Sequence, residues 1–148
     1  MLPETAATPL DAEIAYVLTR FISHVRSLSV DPVVVRANWI DALDHVTARG
    51  ARTLNAYAHE EGPFAKIGRR TVTVVVTEVV RRAEDAFEIR WEERILETGS
   101  PVRRERFTGA VSILFSSPRT ARLITKNPLG LYVDRFAWWR DSIRDASR

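Results

Sequence analysis

Gly68-Arg69-Arg70-Thr71-Val72-Thr73-Val74-Val75-Val76-Thr77 is where the chain changes its period. Upstream of it, apolar residues return every three or four positions. From Thr71 onward, Val72, Val74 and Val76 alternate with Thr71, Thr73 and Thr77. A β-branched run on a period of two fits a pleated sheet, because the branched side chains pack well on its surface. The chain is therefore helices first and sheet second, an α+β arrangement in which the helices cover one face of a curved antiparallel sheet.

Working back from Gly68, three helices are expected. Thr8, Pro9 and Asp11 read as an N-cap, a first helical residue and a first-turn acid. Ile14, Val17, Leu18, Phe21, Ile22, Val25 and Leu28 then share a face. Asp31-Pro32 repeats the cap-then-proline signal, with Val35, Trp39, Leu43 and Val46 as the apolar stripe and Gly50 placed to end the helix. A third helix is expected from Thr53 to Glu60, closed by Gly62-Pro63. Trp39 is expected to pack on the sheet.

Working forward, Phe87, Ile89, Trp91 and Ile95 alternate with Glu88, Arg90, Glu92 and Arg94, giving one buried and one wet face. Thr98-Gly99-Ser100 offers a hairpin turn. A third strand puts Phe107, Val111, Ile113 and Phe115 on one side and Arg104, Arg106 and Thr108 on the other. Pro118 ends it, and residues 119–126 form a short basic helix. Asn127-Pro128-Leu129-Gly130 suits a type I turn: Asn at the first position, Pro at the second, Gly at the fourth. Pro128 cannot extend the helix, and Asn127 before it is biased out of the α region, so the helix stops near Lys126. The final strand runs from about Leu131 to Trp139. Strict alternation puts Tyr132, Phe136 and Trp138 on one face and Leu131, Val133 and Trp139 on the other. An edge strand apolar on both faces suggests contact with another subunit. The candidate interface residues are thus Tyr132, Phe136, Trp138 and Trp139, aimed by the Asn127–Gly130 turn.

These blocks carry a resemblance. Asn127-Pro128-Leu129-Gly130 followed by Leu131-Tyr132-Val133 resembles the Asn-Pro-x-Gly element of the VirB/TrbF family, the bridging inner-membrane subunits of type IV secretion systems. Arg26-Ser27-Leu28-Ser29-Val30-Asp31-Pro32-Val33-Val34-Val35-Arg36 with Asn38-Trp39 is similar to its conjugative-transfer branch, TrbF. So are Arg49-Gly50-Ala51, Thr53-Leu54-Asn55, Tyr57-Ala58 and Arg90-Trp91 with Glu93-Arg94. The blocks fall in family order over residues 10–140. The resemblance implies the cone-shaped fold of nuclear transport factor two, a membrane anchor preceding a periplasmic domain, self-association, and contacts with other secretion subunits. It also implies an assembly role without catalysis or cofactor. On this reading residues 1–9 are linker after the anchor, 10–141 the domain and 142–148 a flexible tail.

Composition is compatible. At 148 residues the chain suits one domain burying roughly 70% of its unfolded surface. Apolar residues make up 45% and charged residues 28%, as in an ordinary globule. No apolar run approaches the ~18 residues that span a bilayer. Without cysteine there is no disulfide, thiolate site or cysteine nucleophile. The net charge of +3 does not predict nucleic-acid binding.

Relatives of the cone fold house enzymes, so the alternative is a small-ligand enzyme or binder using the cone. Such an enzyme needs an Asp, His or Tyr in an apolar pocket. His24, His45 and His59 lack metal-ligand spacing and read as surface or satisfied histidines. Asp41 and Asp44 read as solvated. Ser112, Ser116 and Ser117 lack a nucleophile-elbow or phosphate-loop context. Arg69-Arg70, Arg81-Arg82 and Arg103-Arg104 interleave with Glu88, Glu92, Glu93, Glu97 and Glu105, which reads as cross-strand charge pairing. Direct contact with nucleic acid is not expected from arginines in such acidic company.

Overall fold

The Glu13 carboxylate accepts the Leu10 N–H at 2.8 Å, and helix α1 runs Asp11–Arg26 from there. The computed structural model describes residues 10–141. The expected Thr8-Pro9 cap, the linker and the tail lie outside the described residues. α1 buries Ile14, Leu18, Phe21, Ile22 and Val25, the expected stripe.

Helix α2 spans Pro32–Leu43, and the Asp31 carboxylate caps it by accepting the Val33 N–H at 2.9 Å. It ends well before Gly50, and this corrects the sequence reading. Leu43 is exposed, and the buried residues of α2 are Val35 and Ala42. Gly50 instead sits in the first turn of helix α3, Ala48–Glu61. The Thr47 hydroxyl starts that helix by accepting the Gly50 N–H at 3.1 Å. Gly50 is needed for proximity: a Cβ there would lie 2.5 Å from the Val133 carbonyl oxygen. Trp39 is partly buried against the core. It stacks on Tyr57 at 6.5 Å and meets Phe64 edge-on at 5.1 Å, so it joins α2 to α3 and to the 3₁₀ turn Pro63–Lys66. Gly62, at φ 59°, closes α3 as expected.

Four strands follow: β1 Arg70–Ala83, β2 Ala86–Glu97, β3 Arg103–Phe115 and β4 Leu131–Arg140. They pair antiparallel in the order β1-β2-β3-β4, leaving β1 and β4 at the edges. Helix α4, Ala121–Lys126, lies between β3 and β4 and is capped by Thr120. α1 packs on β1 and α3 on β4. The α+β cone with its helical layer on one sheet face is as expected. Two side-chain assignments on β3 are not: Phe115 is exposed at the strand end, and Thr108 is buried, its hydroxyl donating to Asp141 at 2.8 Å.

β4 overturns strict alternation. Its register slips between the Ser112–Arg135 and Ile113–Val133 pairs, so Asp134 is a bulge residue. One extra residue reverses the phase of everything beyond it. Leu131 and Val133 face the helices before the bulge, and Phe136 and Trp138 face them after it. Phe136 meets Phe21 edge-on at 5.5 Å and Trp138 meets Tyr57 edge-on at 5.1 Å. Tyr132 and Trp139 lie on the outer face, where Tyr132 pairs with Leu114 and Trp139 with Thr108. The bulge is anchored, because the Asp134 carboxylate accepts the Thr47 hydroxyl at 2.8 Å. The residue that caps α3 thus also holds β4 out of phase.

Gly50→Ala tests this junction. Within an unhindered helix the change stabilises by up to ~1 kcal/mol. Here the methyl group meets the β4 backbone, so the expected outcome is a loss of about 1–3 kcal/mol in urea unfolding.

Candidate functional site

The end of α1 enters the sheet through a charge pair that the sequence reading missed. Glu93 stands on the inner face of β2 and is 2% exposed. Arg26, the last residue of α1, grips it in a fork: Nε donates to Oε2 at 2.6 Å and Nη2 to Oε1 at 3.0 Å. Trp91 adds its indole N–H to Oε2 at 2.9 Å. Around the guanidinium stand the rings of Phe107, Trp138 and Tyr57, at 4.7, 5.1 and 5.6 Å from its carbon. Burial alone would lower the Arg26 pKa, but the Glu93 hydrogen bonds and charge outweigh it and raise it. Burial also pushes the Tyr57 phenol up. The signal lay in the pattern of β2, where Glu93 falls on the apolar side between Trp91 and Ile95. The sequence alone places it among the glutamates of the cross-strand charge pairing instead.

This pair forms the floor of a cavity of about 430 Å³ at the open end of the cone. Tyr57 and Glu61 of α3, Lys66, and the ends of all four strands complete its wall. At the rim, Glu97 takes Arg70 and Arg103, and Glu105 takes Arg103 and Arg140. The expected charge pairing therefore holds for these residues, while Glu93 is the exception.

The Asn127–Gly130 turn lies elsewhere, at the start of α1. Its predicted geometry is present: the Gly130 N–H donates to the Asn127 carbonyl at 3.0 Å, and Asn127 leaves the α region at φ −139°. Asn127 does more than open the turn. It is 1% exposed, and its amide donates to the carbonyls of Asp44 at 3.0 Å and Leu131 at 2.9 Å while accepting the Leu131 N–H at 3.2 Å. Three buried bonds, one reaching α2, make it worth more than the ~1 kcal/mol of a single local bond. Gly130 has φ 65°, and a Cβ there would overlap the Ser116 carbonyl oxygen. Pro128 and Leu129 border a largely apolar hollow of about 510 Å³ beside Tyr16, Val17 and Phe21.

Of the candidate interface residues, the structure puts Trp139 on the surface at 52% exposure and leaves Tyr132 half-buried. Phe136 and Trp138 belong to the helical side. Asp44, read as solvated, is buried and takes Arg122 at 2.7 Å. Asp41 faces Arg20 at 3.8 Å and His24 at 2.8 Å, and its carbonyl lies 3.0 Å from the His45 ring. The His24 contact is short but poorly aligned for a hydrogen bond. His59 is exposed.

Against this geometry the comparisons are consistent. The family model described as VirB8 protein matches residues 1–141. The chain belongs to the VirB8 family. The conjugal transfer protein TrbF of Rhizobium radiobacter is 28% identical over 125 residues, which are 82% of this chain and 56% of that relative. The chain thus spans little more than half of that relative's length. The VirB8 structure from Agrobacterium tumefaciens superposes with a TM-score of 0.79 at 13% identity, covering 91% of this chain and 96% of that one. The TrwG component from Bartonella birtlesii gives 0.80 at 14% identity, covering 91% and 95%. At such identities these structures speak to the fold. Both the family and the fold expected from the motifs are borne out.

Two outcomes are expected of the buried groups. Glu93→Gln or Arg26→Met alone leaves a buried charge uncompensated and should cost about 3–5 kcal/mol in urea unfolding. The double variant Arg26→Met/Glu93→Leu should recover much of that loss. His24 has its pKa lowered from 6.5, mainly by burial, against the opposing charge of Asp41. A depressed pKa in the folded state favours folding above the unfolded value and loses that contribution as pH falls through the folded value. Thermal stability should therefore decline below about pH 6.5, and His24→Gln should flatten that decline.

Proposed function

We propose that this chain is the periplasmic domain of an inner-membrane-anchored assembly subunit of a conjugative type IV secretion system. It works by contacting itself and other secretion subunits, bridging inner-membrane and periplasmic components, and it performs no catalysis. The observation that carries this reading is the VirB8 match over residues 1–141. Among the described residues no helix is long and apolar enough to cross a membrane. In this reading the anchor belongs to the rest of the full-length protein.

The enzyme reading needs an acid or base free to move a proton inside the cone. Trp91, Phe107, Phe136 and Trp138 fill the interior. Both Glu93 oxygens accept hydrogen bonds from Arg26, and one also accepts from Trp91. The remaining carboxylate with no ion pair at the mouth, Glu61, is exposed, so burial cannot tune it toward proton transfer. An assembly role suits this arrangement better.

For subunit contact the outer face of β4 remains the candidate, narrowed to Tyr132 and Trp139, with the Asn127–Gly130 turn setting the strand's start. Trp139, Ala137 and Tyr132 stand beside Ala110 and Leu114 of β3 on that face. An aromatic residue exposed next to small side chains suits a partner that packs closely.

Trp139→Ser is the test. As a surface change it should alter domain stability by no more than about 0.5 kcal/mol. Sedimentation should show weakened self-association of the chain, and full-length protein carrying the change should fail to support DNA transfer in a mating assay. Normal association with normal transfer would remove β4 from the interface.

A further inference from the structure

We infer that the free edge of β1 is a docking site for an extended, uncharged peptide segment of another protein, which adds to the four-stranded sheet beside β1. Val72 already pairs outward from this edge. Its N–H donates to the Leu28 carbonyl and its carbonyl accepts the Leu28 N–H, both at 3.0 Å. This is an isolated antiparallel bridge made by the loop between α1 and α2. In an antiparallel ladder, alternate residues aim both backbone groups to the same side. Val74 and Val76 therefore aim theirs away from β2, and among the described residues no backbone partner meets them there. Donors and acceptors thus stand in a row, two residues apart. Another extended backbone matches that spacing, which is how a peptide augments a sheet.

The edge lacks the devices that keep strands apart. Charge, proline and bulges are the usual protection. Thr71 to Thr77 holds no charged residue and no proline. The bulge comes after Val76, between the Val76–Trp91 and Glu78–Arg90 pairs, so it bounds the open window instead of closing it.

A groove of about 430 Å³ runs beside this window. β1 supplies Thr73 and Val74, the end of α1 supplies Ser23 and Ser27, and Val30 with Val34 forms the far wall at the start of α2. Val30 and Val34 are exposed apolar residues, and among the described residues no charged side chain lines the groove. A charged strand would bury its charges here unpaired, at a cost, whereas Val and Thr side chains fit the lining. The walls also select the occupant. A second copy's β1 has the same loop and α2 beside its own edge, so two such edges cannot close on each other over this short window. A single extended chain can enter. The site lies on the opposite edge of the sheet from β4, so it is separate from the contact assigned to Tyr132 and Trp139.

Amide hydrogen exchange on the 148-residue chain, read residue by residue by NMR, tests the edge. In the free chain Val74 and Val76 should exchange faster than Thr73 and Val75, whose amides face β2. The peptide acetyl-Thr-Val-Thr-Val-Thr-amide, at ten times its Kd, should slow exchange at Val74 and Val76 by about tenfold. Acetyl-Thr-Glu-Thr-Glu-Thr-amide should leave both unchanged. Val34→Glu, a surface change on the groove wall, should weaken binding of the Thr-Val peptide by about tenfold. Ile124→Glu, on the exposed side of α4, should leave that binding intact. Exchange at Val74 and Val76 as slow as at Thr73 in the free chain would show that the chain covers its own edge. Slowing that grows with protein concentration and without peptide would assign the edge to a second copy. Either result, equal binding of the two peptides, unchanged binding in Val34→Glu, or no binding of the Thr-Val peptide would overturn the proposal.

Discussion

The Arg26–Glu93 pair is the contact on which the helical layer and the sheet both depend. A carboxylate on the inner face of a central strand has nowhere to go but inward. Its cross-strand neighbours are Val74, which is apolar, and Glu105, another acid. Only a cation brought from outside the sheet can satisfy it, and α1 delivers one at its last residue. Desolvating two charges costs several kcal/mol per ion unless geometry is good and the remaining valences are filled. The forked hydrogen bonds and the Trp91 N–H meet that condition, and the surrounding rings stabilise the guanidinium further. The pair fixes where α1 stops and which end of the cone stays open.

A second constraint works from the other end. Thr47 caps α3 and donates to the bulged Asp134, while Gly50 lets α3 approach the Val133 backbone. Together they fix β4's phase. Because of that bulge, Trp138 enters the aromatic cluster that cages Arg26, and Trp139 turns to the outer surface. Asn127 joins the same system by tying the end of α2 to the first residue of β4. A register slip thus sends the side chains of two adjacent tryptophans to opposite faces of the sheet, Trp138 toward the helices and Trp139 outward.

Much of this was legible in the residues themselves. The change of period near Gly68, the Asp31-Pro32 start, the Gly62 stop and the Asn127–Gly130 turn are local signals. Local sterics and hydrogen bonding determine their outcome, so element type, order and the α+β class followed from the sequence. The motif blocks likewise led to the family. What the sequence could not express was long-range geometry. Gly50 read as a terminator because its close neighbour, Val133, lies in a distant strand. Asp44 read as solvated because Arg122 comes from α4. Glu93 read as one more acid in the cross-strand charge pairing because its partner ends a helix 67 positions earlier in the chain. The faces of β4 depended on a bulge with no turn residue to announce it. Local preference acts over a few residues and is written in the chain directly, whereas burial of a charge, approach of two backbones and phase of a strand are decided by which distant segments meet.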